Sequence, residues 1–426
     1  RMLLVAKRGH ERHVHRILKK WGLHSADIGA VTRSRRLRVR HRGVLVADIP
    51  AGALADTDYP GYPTYRRPSR RPAYLDKVQR LPARVLAGGP APAAALRRLL
   101  ASPDLCSKRF VWEQYDHMVR TNTVLLPGAG SAALRIKNTR RAVSVSMDGN
   151  ARYVYLDPRT GGRIAVAEAA RNVAVTGARP LGATDCLNFG NPMDPEIFWQ
   201  FKEAVRGMAE ACRALNLPVT GGNVSFYNES PSGAVDPTPV VGVVGLLEDR
   251  DRLVSPWFKR AGDVVVVLGE TRDEMGGSAW LSELKDRKAG RPPRLELKRE
   301  KALHDVLIEA ARRGWVRAAQ DWSEGGVAVA AAECCFLGKT QGREILGAEL
   351  VFDSGLSDTV LLFSESQSRA VVSVAPKDAH ALASLCGRRG VPCRPVGRVG
   401  GRRLAVRNRG RLLLRLEVAS LYGAWK

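Results

Sequence analysis

No apolar run in this sequence approaches the roughly 20 residues that a membrane-spanning helix requires. The longest, such as "VVVVLG" at 264–269, have the length of strands, so no membrane partner is expected. There is no C-x-x-C pair. The seven cysteines are odd in number and scattered, and Cys334 and Cys335 adjoin one another, which argues against a zinc knuckle and for a reducing, cytoplasmic setting. A P-loop of the form G-x-x-x-x-G-K-[ST] is missing, so any nucleotide must be held some other way. The opening "RMLLVAKRGHERHVHRILKKWG" turns basic too early for a signal peptide, and its first residue is Arg, which suggests a chain that starts inside a domain. Also missing is any basic repeat interleaved with aromatics, or a helix-turn-helix or zinc-finger spacing. The net charge of +26 and pI near 10.4 therefore do not by themselves name a nucleic acid as partner. The arginines are spread along the whole chain, as anionic small substrates would also favour.

With 426 residues the chain is too long for one core and should form two or three domains. Residues 1–55 read as strand ("MLLVA"), helix ("HERHVHRILKKWG") and two strands ("LRVRH", "VLVADI"), the tail of an α/β domain. Residues 56–105, with "YPGYPTYRRPSRRPAY" and "AGGPAPAAALRRLLASPDL", read as a Pro/Arg-rich linker. From 106 to 250 strands alternate with helices. "AVSVSM" is a strand ending at Asp148, and "GRIAVAEAARNVAVTG" is apolar nearly all round, as a helix buried between layers would be. "DPEIFWQFKEAVRGMAEACRALN" is the clearest helix: Asp194 caps it, Pro195 opens it, and Phe198, Phe201, Val205, Met208, Cys212 and Leu215 form a core-facing stripe. From 261 to 426 the pattern again mixes strands and helices, so the fold class is α+β or α/β layering.

Most motifs that suggest chemistry dissolve on inspection. "GAGSAA" at 128–133 fits a loose dinucleotide fingerprint, but "LRIK" follows as a strand where a helix is needed. His10, His13 and His15 sit among arginines on a solvated face, which favours surface residues over a metal site. What remains are oxygen-bearing side chains where strands are expected to end: Asp148 after "AVSVSM", Asp185 after "LGAT", and Asn223 after "LPVTGG". Magnesium keeps most of its waters and takes only one or two protein oxygens beside substrate phosphates, which suits one Asn with a few dispersed carboxylates. Gly221 and Gly222 would let backbone N–H groups approach a phosphate. Turn-forming Asp and Asn remain the plain alternative.

The segments "WEQYDHMVRTNTV", "RYVYLDPRTGG", "ATDCLNFGNP", "WQFKEAVRGMAEACRALNLPVTGGNVSFYNES", "DWSEGG" and "LLFSESQSR", in this order, resemble phosphoribosylformylglycinamidine synthase, the formylglycinamide ribonucleotide amidotransferase family of purine biosynthesis. The resemblance implies the small, multi-subunit type of synthetase, built as two similar halves. Each half is an aminoimidazole-ribonucleotide-synthetase-like pair: one β-rich domain whose strands join a central barrel, and one α/β layered domain. Residues 106–250 would be the first kind and 261–426 the second, forming the C-terminal half. The implied reaction is an ATP-dependent ligation in which a substrate carbonyl oxygen is phosphorylated and glutamine-derived ammonia displaces phosphate to leave an amidine. Cofactors would be ATP and Mg²⁺, and partners a glutaminase subunit and a small accessory subunit.

Carried over by residue, Asp185 and Gly222 would contact ATP, Asn223 would bind magnesium, and Ser225 would contact formylglycinamide ribonucleotide. The family's first half carries a His-rich "ESHNH" motif that supplies the general base. The matching stretch here is "MDGNAR", with Asp148 in the acidic place and Arg152 where the base would be, and arginine does not deprotonate at neutral pH. The catalytic histidine is therefore expected upstream of Arg1. Gln320 and Gly149 stand where family members have His and Cys, which bears on a pseudo-symmetric second nucleotide site. A non-catalytic nucleotide-binding half, or a docking module, is the alternative reading. Exposed apolar surface is expected on the barrel-forming strands.

Overall fold

The computed structural model describes residues 1–55, 60 and 67–426, and these fall into two compact units, Arg1–Arg66 and Arg67–Lys426. Much of the early part of the expected linker, 56–59 and 61–66, lies outside the described residues.

In the first unit, helix α1 (Glu11–Lys20) has Glu11 in its first turn and Lys19 and Lys20 in its last, each sign opposite the local end of the helix dipole. Strands β1 (Arg36–His41) and β2 (Val44–Pro50) form an antiparallel hairpin in which Arg36 and Arg38 both reach Asp48. His15 bonds Ser25 through Nδ1 and Asp27 through Nε2 at the surface. "MLLVA" does not form the expected strand. Among the described residues of this unit no strand pairs with it, and Met2, Leu3 and Val5 stay exposed.

The second unit begins with short turns of helix and then α2 (Pro92–Leu100), whose Ala95, Leu96, Leu99 and Leu100 are fully buried in the largest core cluster. Here the structure departs from the linker reading. The Pro/Ala-rich composition hid an amphipathic helix that presents Leu at i, i+3 and i+4 to the core.

A six-stranded sheet follows, in the order β3 (Thr123–Leu125), β4 (Ala132–Arg135), β5 (Ala142–Asp148), β8 (Thr238–Leu247), β6 (Arg179–Asn188), β7 (Val219–Ser225). All pairings are antiparallel except β6 with β7, which is parallel. The sheet is open, and the described residues of this chain form no closed barrel. One face carries α3 (Ala151–Leu156), α4 (Pro158–Ala174) and α5 (Pro195–Leu215). The opposite face is apolar and uncovered among the described residues of the unit: Val124, Leu134, Met147 and Val244 are all exposed, as the barrel-strand expectation required.

Helix α5 has the expected cap, with Asp194 accepting from the Glu196 N–H, and ends on left-handed Asn216. Its core-facing stripe holds, with Met208 and Cys212 buried and Phe201 and Leu215 packed against the same cluster, but its deepest contact is made by small residues. Val205 is 36% exposed, whereas Ala204, Gly207 and Ala211 are buried against α4. A Cβ at Gly207 would stand 2.0 Å from the Arg159 carbonyl oxygen. Small residues therefore set this helix crossing, and large ones fill its flanks.

The remaining residues build a seven-stranded sheet, β10 (Val316–Asp321), β12 (Ala370–Val374), β9 (Val264–Leu268), β13 (Cys393–Val399), β11 (Ala348–Phe352), β14 (Arg403–Asn408), β15 (Arg411–Glu417). The helices α6 (Ala279–Lys285), α7 (Leu297–Arg312), α8 (Gly326–Phe336), α9 (Asp358–Phe363), α10 (Ala379–Arg389) and α11 (Val418–Trp425) accompany it. A third core cluster joins Ala174 and Val175, the last residue of α4 and the one after it, to α7, α10 and this sheet, so the two layered parts share buried apolar surface.

Candidate functional site

The four residues singled out for nucleotide, metal and substrate lie on two neighbouring strands. Asp185 is inside β6, not at its end, and Asn223 is inside β7, so both belong to regular ladder and not to the strand ends that were expected. The register pairs Asp185 with Gly222, Cys186 with Asn223 and Asn188 with Ser225. Side chains alternate across a sheet, which separates the four into two pairs. Asp185 shares the helix-covered face with Ala183, Leu187 and Gly222, and Asn223 and Ser225 share the open face. Strand β7 is the edge of its sheet and most of it is exposed, so a ligand can reach both faces only around that edge.

Gly222 is required by its neighbour. A Cβ at this position would stand 2.3 Å from the Asp185 carboxylate oxygen and 2.9 Å from the Asp185 carbonyl oxygen. The carboxylate thus lies across the bare backbone of the second glycine, and burial raises its pKa. The next turns are latched together. The Phe189 N–H donates to the Ser225 carbonyl at 3.0 Å, the Tyr227 N–H to Gly190 at 3.1 Å and the Asn228 N–H to Phe189 at 3.2 Å. Asn191 N–H donates to the Glu229 carboxylate at 2.7 Å, and the Ser225 hydroxyl donates to Asn228 Oδ1 at 3.2 Å. Tyr227 holds φ at 61°, a strained value for a residue with a side chain. The crowding of small polar groups in "GGNVSFYNES" and "NFGNP" is therefore one hydrogen-bonded wall.

A second polar centre lies between the two layered parts, beneath Asp148. Asn172 Nδ2 donates to Asp148 Oδ2 at 2.8 Å. Arg171, fully buried, pairs with Glu300 at 2.7 Å and with Glu168 and Asp321 at 3.6 and 3.7 Å, and donates to Gln367 Oε1 at 3.1 Å. Arg152 is committed to Asp104 and to Glu324, the latter at 2.7 Å, and its Nε donates to the Gly277 carbonyl at 3.1 Å. It is an ion-pair hub and cannot serve as a base. Gln320 donates to Glu333 at 2.9 Å, and Glu365 accepts from the Tyr153 hydroxyl and from the Ala279 and Gly325 N–H groups. The sequence reading missed Arg171, Glu300, Glu324, Glu333 and Glu365. A signal was present in "AEAARNVAV": charged and amide groups inside a helix apolar nearly all round must find buried partners.

This centre predicts a pH dependence. Burial, then the charge of Asp321, lifts Asp148 from 3.8 to about 7. Burial lifts Glu324 and Glu333 from 4.5 to about 8, against the pull of Arg152 and Gln320 respectively. A carboxyl whose folded pKa is raised favours the fold below its unfolded value, and that contribution is lost as pH rises through the folded value. Burial also opposes ionisation of Glu300, but Arg171, His304 and Ser368 together hold it down at about 2, so its contribution is lost as pH falls from 4.5 towards 2. The melting temperature of the ligand-free chain should therefore be highest near pH 5 and decline towards pH 8.5. Glu333→Gln should flatten the decline, and thermal melts across that range check it; a flat profile in the parent refutes the assignment.

Two family descriptions match the chain: AIR synthase related protein, N-terminal domain, over residues 128–247, and its C-terminal domain over residues 260–407. The phosphoribosylformylglycinamidine synthase subunit PurL of Moorella thermoacetica is 48% identical over the whole chain, which covers 57% of that relative. The PurL of Alkaliphilus metalliredigens is 41% identical, again over the whole chain and 56% of its own length. Among solved structures, T. maritima PurL complexed with FGAR superposes with a TM-score of 0.63 at 21% identity, covering 80% of this chain and 54% of that one. T. maritima PurL complexed with ATP gives 0.55 at 22% identity, covering 70% and 46%. At such identities these likenesses speak to the fold. The chain spans a little more than half the length of the curated relatives it matches. Two domain matches that together take in most of the chain, and relatives aligned along all of it, place this protein in the AIR synthase related family, on its phosphoribosylformylglycinamidine synthase (PurL) branch.

Proposed function

We propose that this chain forms part of an ATP-dependent synthetase that converts formylglycinamide ribonucleotide to its amidine with glutamine-derived ammonia, in the cytoplasm, together with a glutaminase subunit and a small accessory subunit. The observation that carries this reading is the Asp185–Gly222 close approach beside Asn223 and Ser225 on an exposed edge strand, in a chain 48% identical to a PurL along its full length. The reaction transfers the γ-phosphoryl group of ATP to a carbonyl oxygen of the substrate, and ammonia then displaces phosphate.

The donor set fits magnesium of the substrate-bridging kind. Among the described residues no three His, Cys, Asp or Glu side chains come together to cage a metal. Asn223 instead offers one amide oxygen on an exposed strand, as an ion that keeps its waters and leans on phosphates requires. Magnesium bound there would supply charge neutralisation for the transferring phosphoryl group. Asn223 would hold the ion. Ser225, on the same face, can turn its hydroxyl from Asn228 to the substrate. Gly222 and the Asp185 carboxylate that lies against it meet the nucleotide together around the edge of β7. Arg152, tied to two carboxylates, takes no proton, and the resemblance to the family implies a general base on its His-rich motif.

Asn223→Leu in the intact subunit tests this. The expected result is a fall in amidine formation of about a hundredfold with a raised magnesium requirement, since one placed charge-stabilising group is worth that much. Normal turnover with the usual metal requirement overturns it. Tight nucleotide binding without turnover in the parent would instead favour a nucleotide-binding, non-catalytic half, a reading to which the Arg152 ion pairs lend support.

A further inference from the structure

The arginine-rich connector is a sequence motif that the proposed reaction leaves unused. From Arg67 onward it is not a spacer. The Arg67 guanidinium donates to the Pro192 carbonyl at 3.4 Å and contacts the Met193 sulfur. Arg70 adds a backbone hydrogen bond to the Pro195 carbonyl at 3.0 Å and a side-chain pair with Glu196 at 3.1 Å, in the first turn of α5. Further on, Tyr74 stacks on Tyr155 with centroids 4.6 Å apart, donates its hydroxyl to the Tyr155 carbonyl and accepts from Gln200. The ammonium of Lys288 lies 3.7 Å from the Tyr155 centroid and pairs with Asp236 at 2.7 Å, and the Gly290 N–H donates to Val78 at 2.8 Å. Residues 67–79 thus run as a strap from the "NFGNP" turn to the loop before α7, clamped at both ends.

The near end matters for the site. Pro192 and Met193 continue directly from β6, which carries Asp185, and the same turn is latched through Phe189, Gly190 and Asn191 to the Ser225–Glu229 turn. We infer that Arg67 is a positioning residue: through the Pro192 carbonyl it fixes the turn against which the Ser225–Glu229 segment is held, so the strap sets how the substrate-binding wall around Ser225 is presented. It touches neither substrate nor metal. The inference rests on the proposed function, and its test separates the two.

In the intact subunit, Arg67→Ala should raise the KM for formylglycinamide ribonucleotide by about tenfold or more, with kcat less affected, because a displaced wall weakens orientation before it removes any reacting group. Hydrogen exchange should quicken at amides 188–191 and 225–229 and stay as in the parent along β5 and α4, a pattern that general destabilisation would not give. Arg67→Lys keeps a donor for the Pro192 carbonyl and should recover most of both effects. Parent-like KM and parent-like exchange in Arg67→Ala overturn the strap's role while leaving the proposed function standing. A parent subunit that does not bind formylglycinamide ribonucleotide by calorimetry overturns the proposed function, while the exchange pattern still reports on the strap. Equal exchange gains throughout the chain also overturn it, since Arg67 would then be only a stability residue.

Discussion

Gly222→Ala in the intact subunit is expected to cost about a hundredfold in amidine formation and about 1–3 kcal/mol in stability. The added methyl group meets the Asp185 carboxylate at 2.3 Å for Oδ1 and 2.8 Å for Cγ, distances that no rotamer change of alanine can relieve because its Cβ is fixed by the backbone. Either the carboxylate swings away from the strand pair or β7 moves off β6. Both outcomes disturb the same wall, since Asn223 and Ser225 follow Gly222 directly and their register is set by the β6–β7 ladder. The double variant Asp185→Ala/Gly222→Ala distinguishes strain from chemistry. Removing the carboxylate relieves the side-chain clash and leaves the approach to the Asp185 carbonyl oxygen, 2.9 Å away, which still requires the backbone to shift. Part of the melting temperature should return and the activity should not, so the two substitutions should couple in stability. A fully active Gly222→Ala would show that the close approach has no bearing on catalysis.

How much of this could be read beforehand depends on the range of the signal. Helix α5 was legible because its cap, its opening proline and its apolar spacing are all local, and the structure keeps each. Strand β5 and the buried helix α4 were legible for the same reason. Asp185, Gly222, Asn223 and Ser225 could be named from a motif, but the motif does not carry register. Whether Asp185 meets Gly222 or Asn223 is decided by one residue of slip between two parallel strands 30 residues and a helix apart, and that slip exchanges the faces. Helix α2 was hidden by composition, since proline and alanine suggest a connector until a core exists to receive Leu96 and Leu99. "MLLVA" was misread in the opposite direction: an apolar run has strand character only where a neighbour supplies a ladder. The Arg171 centre joins α4 to α7, β10 and the Ser364–Arg369 segment, which lie more than a hundred residues away in sequence. No local pattern selects those partners.

That centre gives the second large expected effect. Arg171→Leu should lower stability by about 3–5 kcal/mol, the usual cost of removing one partner from a buried ionic cluster and leaving the others uncompensated. The cause is specific. Arg171 and Glu300 are both fully buried, and without the guanidinium Glu300 keeps only His304 at 2.9 Å and Ser368 to offset its charge, while Asp321 and Glu168 lose their nearest cation. The melting temperature at pH 7 should fall by roughly 10 °C. The pH profile should also change sign at its acid end. With Arg171 gone, Glu300 loses the strongest of the attractions that hold its pKa near 2, so burial takes over and its ionised form no longer favours the fold. Lowering the pH from 7 to 5 should then stabilise the variant more than it stabilises the parent. Adding Glu300→Gln to Arg171→Leu removes the stranded charge and should recover part of the loss, whereas Glu300→Gln in the parent background should destabilise. If Arg171→Leu melts with the parent at pH 7, or if the double variant is no better than the single, the cluster is not an ionic bolt between the two layered parts and Arg171 contributes only its packing volume.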